Sequence, residues 1–390
     1  MPKVALIAGT YSSDRCGVAH YTARLRSELA ISTIVLTTFE AAKNDPTVLG
    51  VVKDWSIKSL PNLVQAVHRS QADILHIQHA AGTYGFDRAI FLLPLLLRLS
   101  GWQKPIITTV HEYGWWEWEP KWIPKQLLES VKQWGQRHQW WDREDGFLLT
   151  QSAAIITTND EAEKVLVDRL PDAKVHRIPI GANIEVANCE NARQKLLDRC
   201  NWSEDVTAIA FFGFLHPVKG LETLLTAFRN VVSQHPQARL VLIGGVESLA
   251  LRGEDAKRYW TKLENIIADL QLNDQVHMTG YVPGDVASVY LSGADIGVLP
   301  FNHGVTLKSG SLLALMAHRL PVIATGTEPH VKQISARDPD ALTTALSELI
   351  ENSAERDRLS QQGYEFVQQF DWKAIAQSHL DIYRSVLPYA

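Results

Sequence analysis

Residues 208–243 run AIAFFGFLHPVKGLETLLTAFRNVVSQHPQARLVLI. Two short apolar runs, 208–212 and 240–243, flank a loop with two glycines and an amphipathic stretch at 221–232. Because an apolar run, a helical period and a second apolar run follow one another, the segment predicts a βαβ unit with parallel strands buried on both faces.

The same alternation extends over the whole chain. The predicted strands, written by number, are 4–8, 34–38, 74–78, 106–110, 154–158, 175–178, 208–212, 240–243, 276–278, 296–299 and 322–325. Two such sets in 390 residues predict an α/β protein with two doubly wound, Rossmann-like domains. The alternation breaks near 181–190, which sets the domains at residues 1–183 plus 372–390 and at 184–371.

Composition excludes several other classes of protein. Hydrophobic residues make up 46% and charged residues 21%, as in an ordinary globular enzyme. A net charge of −5 gives no indication of nucleic-acid binding. The sequence has no stretch of ~20 apolar residues and no signal-peptide pattern at its start. Its three cysteines lack metal-ligand spacing, so we expect reduced thiols in a cytoplasmic protein.

Loops with unusual residues follow several predicted strands. In open α/β sheets, ligands bind beyond the carboxyl ends of strands, where loops lead into helix N-termini. Gly17 follows the first such loop, and Lys219 follows Gly213 in the loop after 208–212. The loop after 296–299 carries His303, Gly304, Thr306, Lys308, Ser309, Gly310 and Ser311.

This loop chemistry indicates an anion site. A helix N-terminus offers unpaired N–H groups and partial positive charge, and small residues let a phosphate approach the backbone. Lysines lie beside two of these helix starts, which suits a pyrophosphate. Neither GxxxxGK[ST] nor GxGxxG occurs, which disfavours a P-loop kinase and a standard dinucleotide enzyme. Ordinary helix capping remains the alternative for each loop taken alone.

Longer stretches resemble family-4 retaining glycosyltransferases of the GT-B fold. Those similar to the donor domain are FFGFLHPVKGLETLLTAF (211–228), LVLIGG (240–245), GYVPGDVASVYLSGADIGVLPF (280–301) and LLALMAHRLPVIATG (312–326). Those similar to the acceptor half and closing helix are RCGVAHYT (15–22), HIQHAAGTYG (76–85), TTVHEYG (108–114) and FDWKAIAQSHLDIY (370–383).

The resemblance implies a bacterial polysaccharide-biosynthesis type of enzyme. It implies two domains that face each other across a cleft: the first binds the acceptor, and the second binds the nucleotide-sugar donor. It also implies a C-terminal helix that crosses back to the first domain. The donor is a UDP- or GDP-sugar, with UDP-glucose favoured, and a hexose is moved with retention to an oligosaccharide, polysaccharide or lipid-linked acceptor. No metal and no other cofactor is implied.

The resemblance also assigns the site residues. Lys219 and Lys308 neutralise the leaving diphosphate, and His111 lies near the transferred sugar. The donor-binding set is Gly17, Gly213, Lys219, Tyr281, Val282, Thr306, Leu307, Lys308, Ser309, Gly310 and Ser311. The acceptor-side set is Asp14, Arg15, His79 and Glu112. The alternatives are purely structural roles: a lysine that caps a helix at 219, a turn glycine at 17 and a structural histidine at 111.

Two departures from the family pattern stand out. Phe214 occupies the position of a usual arginine, and Thr306 and Ala314 occupy those of two glutamates. A branch of the family carries a basic residue followed by Gly-Ser in this loop, and LKSGS (307–311) resembles that branch. We therefore interpret Lys308 as a substitute for the missing arginine, and Glu328 as a possible replacement at the ribose.

Tryptophan is concentrated in one segment. Seven of the 12 tryptophans lie in residues 115–141, and residues 121–141 carry four basic side chains against Glu129. Tryptophan with lysine on a helix suits a membrane interface, so peripheral contact with the inner face of the cytoplasmic membrane is one interpretation. A lid packed on the acceptor domain is the other.

Two rival functions remain at this stage. The loss of both glutamates is compatible with a nucleotide-sugar-binding pseudoenzyme that serves as a partner subunit. A sugar-nucleotide epimerase on the same fold is the less favoured rival. Lys219, the glycine loops and His111 favour the transferase.

Overall fold

The computed structural model describes residues 2–12, 16–42, 45–114, 117, 119 and 123–387. The chain divides into two compact units. Unit 1 comprises Met1–Ile180 with Trp372–Ala390, and unit 2 comprises Gly181–Asp371.

Each unit contains one parallel sheet in its described residues. The strands of unit 1 are β1 Val4–Ala8, β2 Thr33–Thr38, β3 Val48–Val52, β4 Ile74–His79, β5 Ile106–Val110, β6 Ala154–Thr157 and β7 Val175–Arg177. Those of unit 2 are β8 Thr207–Phe212, β9 Ala238–Ile243, β10 Val276–Gly280, β11 Ile296–Leu299, β12 Val322–Thr325 and β13 Lys332–Ile334.

The helices cover the faces of these sheets. They are α1 Gly17–Glu28, α2 Leu60–Ser70, α3 Leu93–Leu99, α4 Lys125–Arg137, α5 Phe147–Thr150, α6 Asp160–Arg169, α7 Ala192–Cys200, α8 Leu221–Gln234, α9 Gly253–Asp269, α10 Gly284–Gly293, α11 Gly310–Ala317, α12 Pro339–Glu351, α13 Ser353–Val367 and α14 Trp372–Val386. None of these described helices is long and apolar enough to cross a bilayer.

Strand order determines where each sheet can bind a ligand. The orders are β3-β2-β1-β4-β5-β6-β7 and β10-β9-β8-β11-β12-β13. In both sheets the order reverses beside the first strand, between β1 and β4 and between β8 and β11. Loops at such a reversal diverge and leave a crevice at the carboxyl ends of the strands. The loops after β8 and β11 therefore lie at the crevice of unit 2.

Buried apolar strands and helix faces form the cores. All five residues of β1 are buried, as the continuous apolar run predicts for a parallel strand covered on both faces. The last helix, α14, belongs to unit 1 and packs against α1. Trp372, Ile375 and Tyr383 of this helix join Tyr21 and Leu25 of α1 in one buried cluster.

The predicted fold class is confirmed. Two parallel, Rossmann-like sheets and a C-terminal helix in the first unit are what the alternation and the resemblance predicted. Two short strands, β3 and β13, were not predicted. Each lies at an outer edge of its sheet.

Candidate functional site

The strand-end loops of unit 2 are fastened to one another through their backbones. The amide of Gly213, after β8, donates to the carbonyl of Ile243, and Leu215 N donates to Gly245 O at 2.9 Å. A Cβ on Gly244 would overlap the carbonyl of Gly213, and φ at Gly244 is +142°. The close approach of these two loops therefore requires glycine at position 244.

Lys219 lies in a short turn before α8. Residues Pro217–Lys219 form a single 3₁₀ turn, and Gly220 follows with φ +69°. A Cβ on Gly220 would overlap the carbonyl of Pro300, so only glycine lets the turn approach the end of β11 this closely. The side chain of Asn302 also donates to Pro217 O at 2.9 Å. The loops after β8 and β11 are thus held together at the position of Lys219.

The Lys219 ammonium is partly desolvated. Its Nζ lies 3.6 Å from the centroid of the Phe301 ring, a cation–π contact. Burial lowers the pKa of Lys219 to about 8. A desolvated cation gains more than an exposed one when an anion arrives, because less water has to be displaced from it. This arrangement suits a lysine that binds a negatively charged ligand.

The loop before α11 is a tight turn that exposes lysine. Ser309 N donates to Thr306 O at 2.8 Å, and Lys308 N approaches Thr306 Oγ1 at 3.4 Å. The Ser309 hydroxyl caps α11 by accepting from Leu312 N. Lys308 and Thr306 are exposed, whereas Leu307 is half-buried.

Ser311 lies against Gly213 in the first turn of α11. Its Oγ is 2.8 Å from the position of a Cβ on Gly213, so the hydroxyl and the glycine backbone are neighbours. The side chain of Asn183 packs on Gly310 from the other side. Most of α11 is buried, including Ala314. The structure thus brings Gly213, Gly310 and Ser311 together at a helix N-terminus.

Tyr281 and Val282 lie at the next strand end. Tyr281 is 61% exposed, and its Cβ is 3.2 Å from the position of a Cβ on Gly245. Val282 is half-buried. Tyr281 therefore lies beside the loop after β9.

Glu328 contacts the loop that contains Lys308. Its Oε1 accepts from Leu307 N at 3.1 Å, and Gly304 and Gly326 approach closely where the two loops meet. Val305 N also donates to Thr325 O at 2.7 Å. Glu328 therefore stabilises the conformation of residues 304–308, a role that the sequence did not predict.

In unit 1, His111 and His79 follow neighbouring strands but differ in environment. His79, at the end of β4, is 1% exposed, and its Nε2 lies 3.0 Å from Asp145 Oδ1. His111 follows β5 and is half-buried, with its Nε2 3.0 Å from Gln78 Oε1. Burial, followed by nearby histidine charges, lowers the pKa of His111 to about 3. Its imidazole is therefore neutral at physiological pH.

The other predicted residues of unit 1 are less constrained. Gly17 begins α1, and a Cβ on it would meet no atom within 4 Å among the described residues. Packing inside the described structure therefore does not require glycine there. Glu112 is exposed. Asp14 and Arg15 lie outside the described residues.

A buried acidic cluster escaped the sequence prediction. Asp142, Glu144 and Asp145 are each at most 1% exposed. The hydroxyl of Tyr113 donates to Asp142 Oδ1 at 2.6 Å, and Arg169 pairs with Glu144 at 3.2 Å. Burial is the largest cause that raises the pKa of Asp142 to about 6 and that of Glu144 to about 8. The run DRED was the only available signal, and such runs are usually solvated.

Two parallel, Rossmann-like sheets of this topology, one in each unit, define the GT-B class of folds. Among solved structures, sucrose-phosphate synthase from Thermosynechococcus elongatus is similar, with 20% identity, a TM-score of 0.69 and coverage of 99% of both chains. Anabaena HepE in complex with UDP-glucose is similar at 14% identity and a TM-score of 0.69, covering 99% of this chain and 100% of that one. These likenesses establish the fold.

The second unit is similar to a known family. Residues 207–352 match the family described as "Glycosyl transferases group 1". A curated relative, the D-inositol 3-phosphate glycosyltransferase of Corynebacterium kroppenstedtii, is 27% identical over 192 residues, 46% of this chain. The match spans 41% of that relative's length, less than half. The match to this family therefore lies within unit 2 of a chain with the GT-B fold.

Proposed function

We propose that this protein is a retaining glycosyltransferase that moves a hexose, glucose from UDP-glucose, to an oligosaccharide or polysaccharide precursor. The observation that carries the proposal is the position of Lys219. Its partly desolvated ammonium lies on the Phe301 ring at the reversal point of the unit 2 sheet. The similar HepE structure is described as a complex with UDP-glucose, which supports the same donor class here.

In this proposal, different residues of unit 2 contact the diphosphate and the base of the donor. Lys219 and the exposed Lys308 place positive charge where the leaving diphosphate gains negative charge. The amides at the start of α11, with Gly213 and Ser311 beside them, donate to phosphate oxygens. Tyr281 and Val282 flank the base. Two lysines and a helix N-terminus can neutralise the diphosphate in place of a divalent cation, so the transfer needs no metal.

Unit 1 supplies the groups for the sugars. Neutral His111 has one ring nitrogen available to accept a hydrogen bond from a sugar hydroxyl. Exposed Glu112 and the glycine at 17 lie at strand-end loops of the same sheet. The proposed acceptor side also includes Asp14, Arg15 and His79. His79 is buried, so it would contribute indirectly.

A donor screen tests this function. Thermal shifts with UDP-, GDP- and ADP-sugars identify the nucleotide, and slow release of UDP from UDP-glucose identifies a transferase. Binding of UDP-glucose without release of UDP would favour the pseudoenzyme. The buried Ala314, at the position of a usual glutamate, is compatible with that alternative. Conversion of the sugar within UDP-glucose would favour the epimerase. The anomeric configuration of the transferred sugar, read by NMR, tests retention.

We also propose that α4 touches an anionic lipid surface at the cytoplasmic face of a membrane. Leu127, Val131 and Trp134 lie at helical spacing on α4 and are 58%, 50% and 54% exposed, and Trp140 beyond the helix is 47% exposed. We call these four residues the α4 stripe. Exposed Lys125 and Arg137 lie at the two ends of the helix, which complements anionic headgroups.

The charge of this segment is smaller than its sequence predicts. Lys132 is 1% exposed and pairs with Glu117 at 3.0 Å, so it adds no surface charge. Trp141 is half-buried and packs edge-on against Phe147, with ring centroids 4.9 Å apart. Trp115, Trp116, Trp118, Lys121 and Trp122 lie outside the described residues. The contact therefore rests on the α4 stripe and its two flanking cations.

A further inference from the structure

A continuous line of buried polar side chains joins the last helix to His111. Tyr383 Oη on α14 lies 2.7 Å from Nδ1 of His76, and the Gln78 amide nitrogen lies 3.1 Å from His76 Nε2. Gln78 Oε1 lies 3.0 Å from His111 Nε2. His76, Gln78 and Tyr383 are fully buried, and all four residues belong to unit 1.

The orientation that the Gln78 amide has in the structure assigns the donors and acceptors along this line. Its amide oxygen can only accept, so His111 Nε2 carries the proton that it receives. Its amide nitrogen can only donate, so His76 Nε2 is unprotonated. The hydroxyl of Thr109, 2.7 Å away, donates to the same nitrogen. His76 then carries its proton on Nδ1 and donates it to Tyr383.

Both histidines are held neutral, so each ring has one protonated and one unprotonated nitrogen. Burial is the main cause that holds the pKa of His76 well below its usual value, and the pKa of His111 is about 3. A neutral imidazole with a proton on Nε2 has its lone pair on Nδ1. No described residue donates to Nδ1 of His111, so this atom is available to a ligand hydroxyl.

A second chain of contacts connects the His111 ring to the last helix through Tyr21 of α1. The Tyr21 and His111 rings meet edge-on with centroids 4.8 Å apart. Tyr21 Oη lies 3.3 Å from His379 Nε2 on α14, and His379 Nδ1 donates to Ile375 O at 2.8 Å. Two chains of contacts therefore connect the His111 ring to α14, one through Gln78 and His76 and one through Tyr21.

We propose that Gln78 is a positioning residue that fixes His111 as the Nε2–H tautomer with Nδ1 directed to substrate, and that Tyr383 and His76 set the orientation of the Gln78 amide. Gln78 accepts a hydrogen bond from His111 and donates one to His76, so it favours a single neutral tautomer of His111. An apolar residue of equal size would leave both tautomers accessible. The use of Nδ1 by a sugar hydroxyl rests on the proposed function. The tautomer itself does not.

The test uses the full chain labelled with ¹⁵N-histidine. Two-bond ¹H–¹⁵N correlations distinguish the two neutral tautomers, and the His111 signals are identified by their loss in His111→Gln. We expect the Nε2–H pattern in the parent protein. Gln78→Met removes both hydrogen bonds of the amide and should give averaged shifts of a tautomer mixture. Tyr383→Phe, which deletes one hydroxyl and keeps the ring, should shift His111 in the same direction.

Two further variants separate positioning from folding. Gln78→Glu keeps an acceptor for His111, so the Nε2–H pattern should persist while the new carboxylate raises the pKa of His111. Tyr259→Phe removes a hydrogen-bonded buried tyrosine hydroxyl in unit 2 and should leave the His111 signals unchanged. Turnover of UDP-glucose should fall about tenfold in Gln78→Met, equivalent to about 1.4 kcal/mol, with KM little changed.

An Nδ1–H pattern in the parent, or unchanged His111 signals in folded Gln78→Met or Tyr383→Phe, would overturn the proposal. If the tautomer behaves as expected and no variant or parent turns over any nucleotide sugar, the positioning role stands and the proposed transferase function fails. The two proposals are therefore tested separately.

Discussion

The ammonium group of Lys219 lies 3.6 Å from the centroid of the Phe301 ring. The lysine precedes α8, whereas the phenylalanine follows β11, so the contact joins the two loops at the reversal point of the sheet. The ring gives the cation partial compensation for lost water and leaves its hydrogens unpaired with any carboxylate among the described residues. An anionic ligand would supply that missing partner.

Lys219→Ala should lower donor turnover by roughly 10²–10³-fold, or about 3–4 kcal/mol. Breaking the glycosidic bond leaves negative charge on the diphosphate, and cations already in place lower that barrier. A lysine ~4 Å away at an effective dielectric of ~20 contributes up to roughly 4 kcal/mol before desolvation. A helix N-terminus contributes only ~0.3–2 kcal/mol. Release of UDP under saturating donor measures the effect.

The matched control for this change is Lys257→Ala, which removes an exposed lysine on α9. It should leave turnover unchanged. Lys308→Ala should lower turnover less than Lys219→Ala, and Lys219→Arg should recover only part of the loss because the guanidinium presents its donors differently. Turnover within about twofold of the parent in folded Lys219→Ala would place the diphosphate elsewhere.

The donor kcat/KM should decrease as pH rises above about 8. Burial lowers the pKa of Lys219 to about 8, so the free enzyme loses this cation through that range. Bound diphosphate favours the protonated amine, so the corresponding decrease in kcat should lie at higher pH. Lys219→Arg keeps its charge and should lack the decrease. A parent profile that stays flat up to pH ~10, where an ordinary lysine titrates, would contradict the assignment.

Short-range patterns were enough to predict most of the fold. The apolar runs of β1, β5, β11 and β12 predicted those strands with the bounds that the structure has. The missed strands are edge strands: β13 has three residues, and β3 has a glycine at its centre. Edge strands bury less apolar surface, so their composition carries a weaker signal.

The site was harder to predict because its contacts are distant along the chain. The resemblance brought Lys219 and Ser311 to attention, but the contact of Ser311 with Gly213 spans nearly a hundred residues and follows from β8 and β11 being neighbours. The sequence offers Glu328 as a replacement at the ribose, and the structure gives its carboxylate a backbone partner at Leu307. Gln78 lies inside the motif HIQHAAGTYG (76–85), but no local pattern indicates which side chains a buried glutamine will contact.

Gly220→Ala should destabilise the protein by about 3 kcal/mol or more. The added Cβ costs ~1–2 kcal/mol for the left-handed conformation and ~1–3 kcal/mol for overlap with the Pro300 carbonyl. Gly253→Ala is the matched control, since φ there is +55° and a Cβ meets no described atom within 4 Å. It should cost only the first contribution. Urea unfolding midpoints measure both, and equal shifts would contradict the close approach.

Activity should survive an excess of EDTA. In the proposed mechanism, Lys219, Lys308 and the amides of α11 neutralise the leaving diphosphate, so no step depends on a divalent ion. UDP release is measured with and without EDTA and after magnesium is added back. Complete loss that magnesium restores would contradict the metal-independent mechanism while leaving the transferase function intact.

Replacing Trp134 and Trp140 together with serine should abolish most binding to anionic liposomes. Both side chains are about half exposed and meet edge-on, with ring centroids 5.6 Å apart, so together they present an apolar surface in the α4 stripe. Each basic residue near such a surface contributes ~1 kcal/mol, which salt screens. Binding by the parent should therefore weaken markedly as ionic strength rises, and further in Lys125→Gln.

Leu99→Ser is the matched control, because it removes another apolar side chain of unit 1 that is 76% exposed but lies outside the α4 stripe. It should bind vesicles like the parent if the stripe is specific. UDP release from UDP-glucose in the absence of vesicles should be unchanged in the tryptophan variant, since neither ring belongs to the donor site. Vesicle sedimentation measures binding. If the parent fails to sediment with phosphatidylglycerol vesicles at low salt, or if Leu99→Ser loses as much binding as the double variant, then α4 does not dock on lipid, and its exposed rings have another role within unit 1.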